Sequence, residues 1–535
     1  MATQLNDWLS IDKISGTGNA EITLTASSYQ ELVDRTASIK IQAQSTNAIL
    51  NVRQTALVPS ATLDSYEITT YGGGTYTNGI TSNVPWTAVV NGDWITINKT
   101  QGESGYTPLS ITIDASIETR SGSITFNAEG VVLTLEIYQI YDLNKSYFWI
   151  EFESTGATLS GLTNSVVNFT YSFDGYTWET APSSLSMGQN RKVYLKNSTK
   201  TLRKDNVRTT LTFSGYSKIG GDMSSIVDMA NNCCKSIFYK NTLITDASKL
   251  ILPWTTLADS CYYNMFYGCT SLTTAPELPA TTLIHSCYWS MFEGCTSLTT
   301  APELPATTLA DWCYSNMFQG CTSLTTAPEL PATTLAESCY NGMFDGCTNL
   351  TTAPVLPATT LAEKCYSNMF QGCTNLTTAP VLPATTMESD CYFSMFDGCT
   401  NLTTAPELPA TTAKNGCYSY MFSDCTSLTT APVLPATTLA DSCYWGMFMG
   451  CTNLTTAPVL PATTLKYYCY FRMFEGCANL TYIKMLATDM SADSCIRGWV
   501  KNVSTTGTFV KHPDAILRTG ESGIPNGWTV ETATS

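Results

Sequence analysis

Histidine is nearly missing from this 535-residue chain: only His285 and His512 occur, far apart, and neither has a cluster of other ligand types around it. That leaves little material for imidazole acid–base chemistry or for a histidine metal site. Charge is scarce as well, at 13% of residues, and it is unbalanced, with 27 basic against 43 acidic side chains for a net of −16. Such a surface offers no basic footing to a phosphate backbone or an anionic bilayer, so nucleic acid is not expected as a partner. No run approaches the roughly 18 apolar residues of a membrane-spanning helix, and membrane insertion is not expected. The start, Met1 to Trp8, shows no basic segment followed by an apolar one, which reads as a chain without a signal peptide, made in the cytoplasm. Phosphate loops and nucleophile elbows are lacking too, and Gly72 to Gly74 reads as an isolated turn.

Thr, Ser, Asn, Tyr and Gly are abundant by contrast, a composition suited to strands and turns with neutral polar faces. The length requires several domains. Internal repetition supplies the strongest signal. From Cys261 a cysteine recurs every 26 residues through Cys287, Cys313 and onward to Cys495, and a second series follows eight residues behind, from Cys269 to Cys477. A fixed period of this size indicates stacked units, none of which can bury its apolar side alone. In the unit from Cys287 to Trp312, the residues Tyr288, Met291 and Phe292 fall at i, i+3 and i+4, which predicts a short helical turn closed by Gly294. Leu298 to Ala301 then reads as a short strand, ended by Pro302, with a second corner at Pro305.

These residues, with G-C-T-x-L-T preceded by M-F in copy after copy, resemble the BspA-type leucine-rich repeats of Bacteroidetes surface and phage proteins. Upstream, Trp86, Trp94 to Ile97, Gly102, Arg120 to Ile124 and Ile137 to Gln139 resemble a BACON domain, which implies a small immunoglobulin-like β-sandwich. Trp8 to Ile11, Gly16 to Gly18, Arg35 and Val52 to Gln54 repeat the later part of that pattern without the segment equivalent to Ser82 to Asn91, so a first, incomplete sandwich is expected. Alternation in Phe169 to Phe173 and Val193 to Leu195 predicts a third β domain. The expected fold is therefore mostly β: tandem immunoglobulin-like sandwiches followed by a leucine-rich-repeat solenoid with short helices. The expected boundaries are 1–58 and 59–140 for the two BACON-like parts, 141–215 for the third β domain, 216–250 for an N-terminal cap, 251–483 for the repeats and 484–535 for a C-terminal cap.

Nineteen of the 21 cysteines occupy the two repeat positions, where they read as small buried thiols; C-x₇-C is not a zinc spacing. Leu278 to Thr282 resembles a sortase signal only in passing, since it recurs with the repeat. Glu277, Glu303, Glu329 and Glu407 share one repeat position with Val355, Val381, Val433 and Val459, which does not suit a catalytic acid. No catalytic residue, cofactor or metal is expected. The repeats differ from one another mainly beside Cys-Tyr and just before each Cys, where Tyr263, Trp289, Trp312, Phe393, Tyr420, Trp445, Tyr467 and Phe471 stand, with Tyr468 and Arg472. Helical geometry would point these rings to solvent, as candidates for stacking on sugars or anchoring a protein. The two resemblances together imply a non-enzymatic, tail-associated or fibre-like phage adhesin in the virion. Its repeats would bind a host surface glycan or protein, and its N-terminal sandwiches would attach to other virion tail proteins. A purely structural virion component and a bacterial surface adhesin are the alternatives, and a homo-oligomer is left open.

Overall fold

The computed structural model describes residues 2–534 except 4–6, 13–14, 17–20, 22, 28, 30, 44–45, 71–72, 115, 117–118, 141 and 205–206. Part of the expected Gly16 to Gly18 turn, and Gly72, lie outside the described residues. The chain is mostly β, in many small sheets. Among the described residues the helices are one turn at Leu143–Ser146 and a 3₁₀ turn at Met223–Ser225. It divides into two compact units, Met1–Asp142 and Leu143–Ser535.

In the first unit, residues 59–140 form two sheets around one core. One sheet is ordered Ile95–Ile97, Gly105–Ile113, Gly74–Ser82, Ala61–Leu63; the other is ordered Gln101–Gly102, Trp86–Asn91, Arg120–Ala128, Val131–Gln139, Glu67–Thr70. Alternation along each strand drives the burial: Leu109, Ile111 and Ile113 point inward while Ser110 and Thr112 do not. Trp86 packs edge-on against Phe126 with ring centres 5.7 Å apart. Gly102 must be glycine here, because a Cβ would come within 2.7 Å of the Trp86 indole. Arg120 lies over Trp94 at 4.3 Å, and its Nε donates to Gln139 at 2.6 Å. Residues 1–58 repeat this device, with Arg35 over Trp8 at 4.4 Å and donating to Gln54 at 3.0 Å. Their core is much smaller, centred on Leu9, Ala37 and Ile39.

The second unit opens with a six-stranded sheet ordered Glu179–Thr180, Phe169–Ser172, Lys192–Asn197, Phe148–Phe152, Ser217–Asp222, Ile244–Ile251. Its last strand runs parallel to its neighbour and reaches the repeats through a bridge between Asp246 and Thr274. One apolar core then continues from Phe148 to Trp528. A three-stranded parallel sheet of Tyr482–Met485, Thr508–Lys511 and Thr529–Thr532 follows the repeats.

The short helix expected in each repeat does not form. Between Ser286 and Cys295 the backbone donors alternate. The N–H groups of Ser286, Tyr288, Ser290, Phe292 and Gly294 donate to Asp311, Cys313, Ser315, Met317 and Gln319 of the following repeat, at 2.7 to 3.0 Å. Those of Cys287, Trp289, Met291, Glu293 and Cys295 fold back on the carbonyl three residues earlier. An α-helix would satisfy its interior donors four residues back and leave none for a neighbour. The ribbon of turns instead places every fourth residue, Ser286, Ser290 and Gly294, in the left-handed region. Asn and Gly visit that region most readily, and Ser, Asn or Gly holds most of these places along the ladder. The same ribbon runs through 232–240 and 494–502, residues that the sequence pattern assigns to the two caps.

Tyr288, Met291 and Phe292 are buried as the pattern requires. Repeat after repeat superposes them into ladders: Phe292, Phe318, Phe344 and Phe370 stack with ring centres 5.7 to 5.8 Å apart. The tyrosines stack beside them, as in Tyr314 on Tyr340 at 5.9 Å. All 21 cysteines are free and buried. In the second series each thiol donates to the phenylalanine carbonyl of the preceding repeat, as Cys321 does to Phe292 at 3.1 Å. Burial pushes these thiols up, Cys269 and Cys347 to about 12, which makes them unreactive at neutral pH.

Candidate functional site

The sequence-predicted aromatic residues lie in two clusters on the turn ribbon, and the rings pack on one another instead of standing free in solvent. Tyr263, Trp289 and Trp312 form the first, with ring centres 5.1 and 5.2 Å apart and Lys235 Nζ 3.9 Å from the Tyr263 ring. Phe393, Tyr420, Trp445, Tyr467, Tyr468 and Phe471 form the second, at 4.2 to 6.0 Å. Arg472 lies 5.2 Å from the Phe471 ring centre. Only Tyr467 of the eight candidates is exposed, at 47%; six are half-buried, and Phe471 is buried at 9%. The expected exposure therefore fails for Phe471 and holds only in part for the others. The reason is the ribbon: adjacent repeats sit one backbone hydrogen bond apart, so large side chains at neighbouring positions must cover each other. Between the clusters the equivalent places hold Ser315, Asn341 and Ser367.

Three of these rings have a backbone conformation that sequence reasoning does not foresee. Trp312 (φ 60°), Tyr420 (φ 56°) and Tyr468 (φ 55°) are left-handed, in register with Ser286, Ser394 and Ser442 of neighbouring repeats. A left-handed backbone costs a bulky L-residue about 1–2 kcal/mol, and such outliers gather at functional sites. Gly446 accommodates one of them: a Cβ there would fall 2.7 Å from the Tyr420 ring. The signal was present in the sequence as aromatics at places where most other copies have Ser, Asn or Gly, once the fourfold spacing is known.

A row of half-buried polar groups runs beside the clusters. Gln319 donates to Asp345, and Gln371 to Asp397 at 2.9 Å, each across one repeat. Burial holds the carboxyls of Glu293, Asp345 and Asp397 above their usual range. Farther along, Lys501 reaches Glu475 at 2.8 Å. Another strip is apolar: Val355, Val381 and Val433 are each 78% exposed, at the position shared with Glu277, Glu303, Glu329 and Glu407. Among the described residues no group of three or more His, Cys, Asp or Glu is arranged to hold a metal ion, and no helix is long and apolar enough to cross a membrane. His285 and His512 each approach one carboxylate, Asp259 at 3.6 Å and Asp514 at 3.7 Å.

The structure thus combines small β modules with a hydrogen-bonded repeat ladder that carries aromatic clusters. Comparison with known families finds the same two parts. A model described as "BACON: Putative binding domain, N-terminal" matches residues 3–55 and 84–139. A second, described as "BspA type Leucine rich repeat region (6 copies)", matches 234–377 and 386–494. The chain thus carries two segments that match the BACON model and a BspA-type repeat region. No curated protein matches. Among solved structures, a Bacteroides ovatus GH5 xyloglucanase in complex with a XXXG heptasaccharide is 19% identical over 17% of this chain, at a TM-score of 0.16. The match spans a fifth of that enzyme's length, and a superposition of that quality bears on neither the fold nor the activity of this chain.

Proposed function

We propose that this protein is a non-enzymatic adhesin whose two aromatic clusters bind a host surface glycan, and that it serves as a tail-associated component of a phage virion. In this reading the paired sheets of the first unit are immunoglobulin-like sandwiches that attach to other tail proteins. The repeats are turns of a solenoid that carries the binding surface. One observation supports the choice of surface above the others. Trp312, Tyr420 and Tyr468 hold backbone conformations that disfavour them, so local stability is given up to place rings where neighbouring repeats have serine. Aromatic faces stack on the apolar faces of sugars with little ordering cost, and two clusters on one ladder add their contacts by multivalency. The net charge of −16 favours a neutral glycan over an anionic one.

The test is binding of the purified chain to immobilised polysaccharide extracted from host cells, against Trp289→Ser combined with Trp445→Ser. We expect the double variant to lose at least tenfold in affinity. Unchanged binding would move the receptor site off the ribbon.

A further inference from the structure

The two BACON segments give an internal comparison between a covered sheet and an uncovered one. Strands Arg35–Ala43 and Thr46–Gln54 pair as Arg120–Ala128 and Val131–Gln139 do: Ile39 faces Leu50 as Ile124 faces Leu135, and Arg35 faces Gln54 as Arg120 faces Gln139. The pair Leu9–Ile11 with Leu24–Ala26 likewise matches Ile95–Ile97 with Ile111–Ile113. Burial at matched places differs sharply. Leu135 is fully buried and Leu50 is 40% exposed; Phe126 and Ile111 are fully buried, whereas Ile41 and Leu24 are only partly so.

What covers the second copy is known. Strand Gly74–Ser82 pairs along Gly105–Ile113, placing Tyr76 opposite Ile111, and Ala61–Leu63 extends that sheet. Glu67–Thr70 pairs with the outer edge of Val131–Gln139. These segments put Leu63 and Ile80 into the core, and the chain that follows them adds Val84 and Trp86. Among the described residues of the first copy, Leu24–Ala26 pairs only with Leu9–Ile11, and Thr46–Gln54 only with Arg35–Ala43.

We infer that the first copy is an acceptor for an extended segment of another protein, one with the alternating apolar pattern of residues 61–86, seated on Leu24, Ile41, Leu50 and Val52 and hydrogen-bonded along the edge of Leu24–Ala26 that no described strand covers. Backbone pairing supplies affinity in such strand addition, and the pockets for alternate side chains supply specificity. A second copy of this chain does not fit the role, because its one covering segment is already buried in its own core. The inference stands apart from the aromatic clusters, so either can fail alone.

A fluorescein-labelled synthetic peptide of residues 59–86, titrated with the purified full chain and followed by anisotropy, tests it. We expect saturable one-to-one binding, weakened at least tenfold by Leu50→Asp and unchanged by Val530→Asp, an exposed valine of the other unit. Absence of saturable binding, or equal weakening by both substitutions, overturns the inference. So does a dimer of the full chain, seen in sedimentation, that Leu50→Asp dissolves, since that would make a second copy the occupant.

Discussion

The ribbon carries aromatic rings on two sides, and the two sets behave differently. The inner set, Tyr288 and Phe292 with their counterparts, keeps the 26-residue period without interruption and is buried to 2% or less in every copy between Tyr262 and Phe474. The outer set breaks that period: rings gather at two places and give way to Ser315, Asn341 and Ser367 between them. Unbroken periodicity is what packing demands, since a ladder of stacked rings fails at its weakest rung. Rings that appear in some copies only are not required by the ladder, and three of them, Trp312, Tyr420 and Tyr468, sit on left-handed backbone.

The largest effect should come from the inner set. Phe344 stacks between Phe318 and Phe370 with no exposed surface, so Phe344→Ala should cost about 3–5 kcal/mol in denaturant unfolding of the intact chain. A cost below about 1 kcal/mol would mean that the inner stack is not what holds the repeats.

A smaller effect separates the two sides by pH. Burial raises the pKa of Asp345 and Asp397, so their ionised forms oppose folding; the stability these groups allow is complete below the unfolded carboxylate pKa and is lost as pH rises through the folded value. Asp345→Asn with Asp397→Asn keeps an oxygen to accept from Gln319 and Gln371 and removes the charge. Thermal unfolding should show the double variant more stable than the parent at pH 7, with the gap closing as pH falls toward 4. A gap that widens on acidification would contradict this assignment.

Much of the fold was legible. The cysteine period located the repeats, and simple alternation in Leu109 to Ile113 and Phe169 to Phe173 located strands, because burial on one face leaves a pattern of period two. The ribbon was not legible from Tyr288, Met291 and Phe292, because the i, i+3, i+4 spacing of an α-helix also suits a chain of turns with every fourth residue left-handed. The distinguishing residues were Ser286, Ser290 and Gly294, whose meaning depends on hydrogen bonds to another repeat. The misplaced Phe471 follows from the same error: helical projection sends it to solvent, while the ribbon packs it against Trp445 at 5.4 Å and Tyr468 at 4.6 Å. The candidate rings themselves were found because they vary where the core does not.

The most direct test of the recognition role is a pair of measurements on the triple variant Trp312→Asn, Tyr420→Asn, Tyr468→Asn. Removing each ring forfeits stacking worth about 0.5–1.5 kcal/mol together with the apolar area of a half-buried ring, and relieves about 1–2 kcal/mol of left-handed strain, so the net cost per ring should stay well below that of an inner ring. We predict a per-ring loss of stability far smaller than that of Phe344→Ala, together with at least a tenfold loss of binding to host cell polysaccharide. A per-ring loss as large as that of Phe344→Ala would make the rings part of the core packing, and full binding would take recognition away from them.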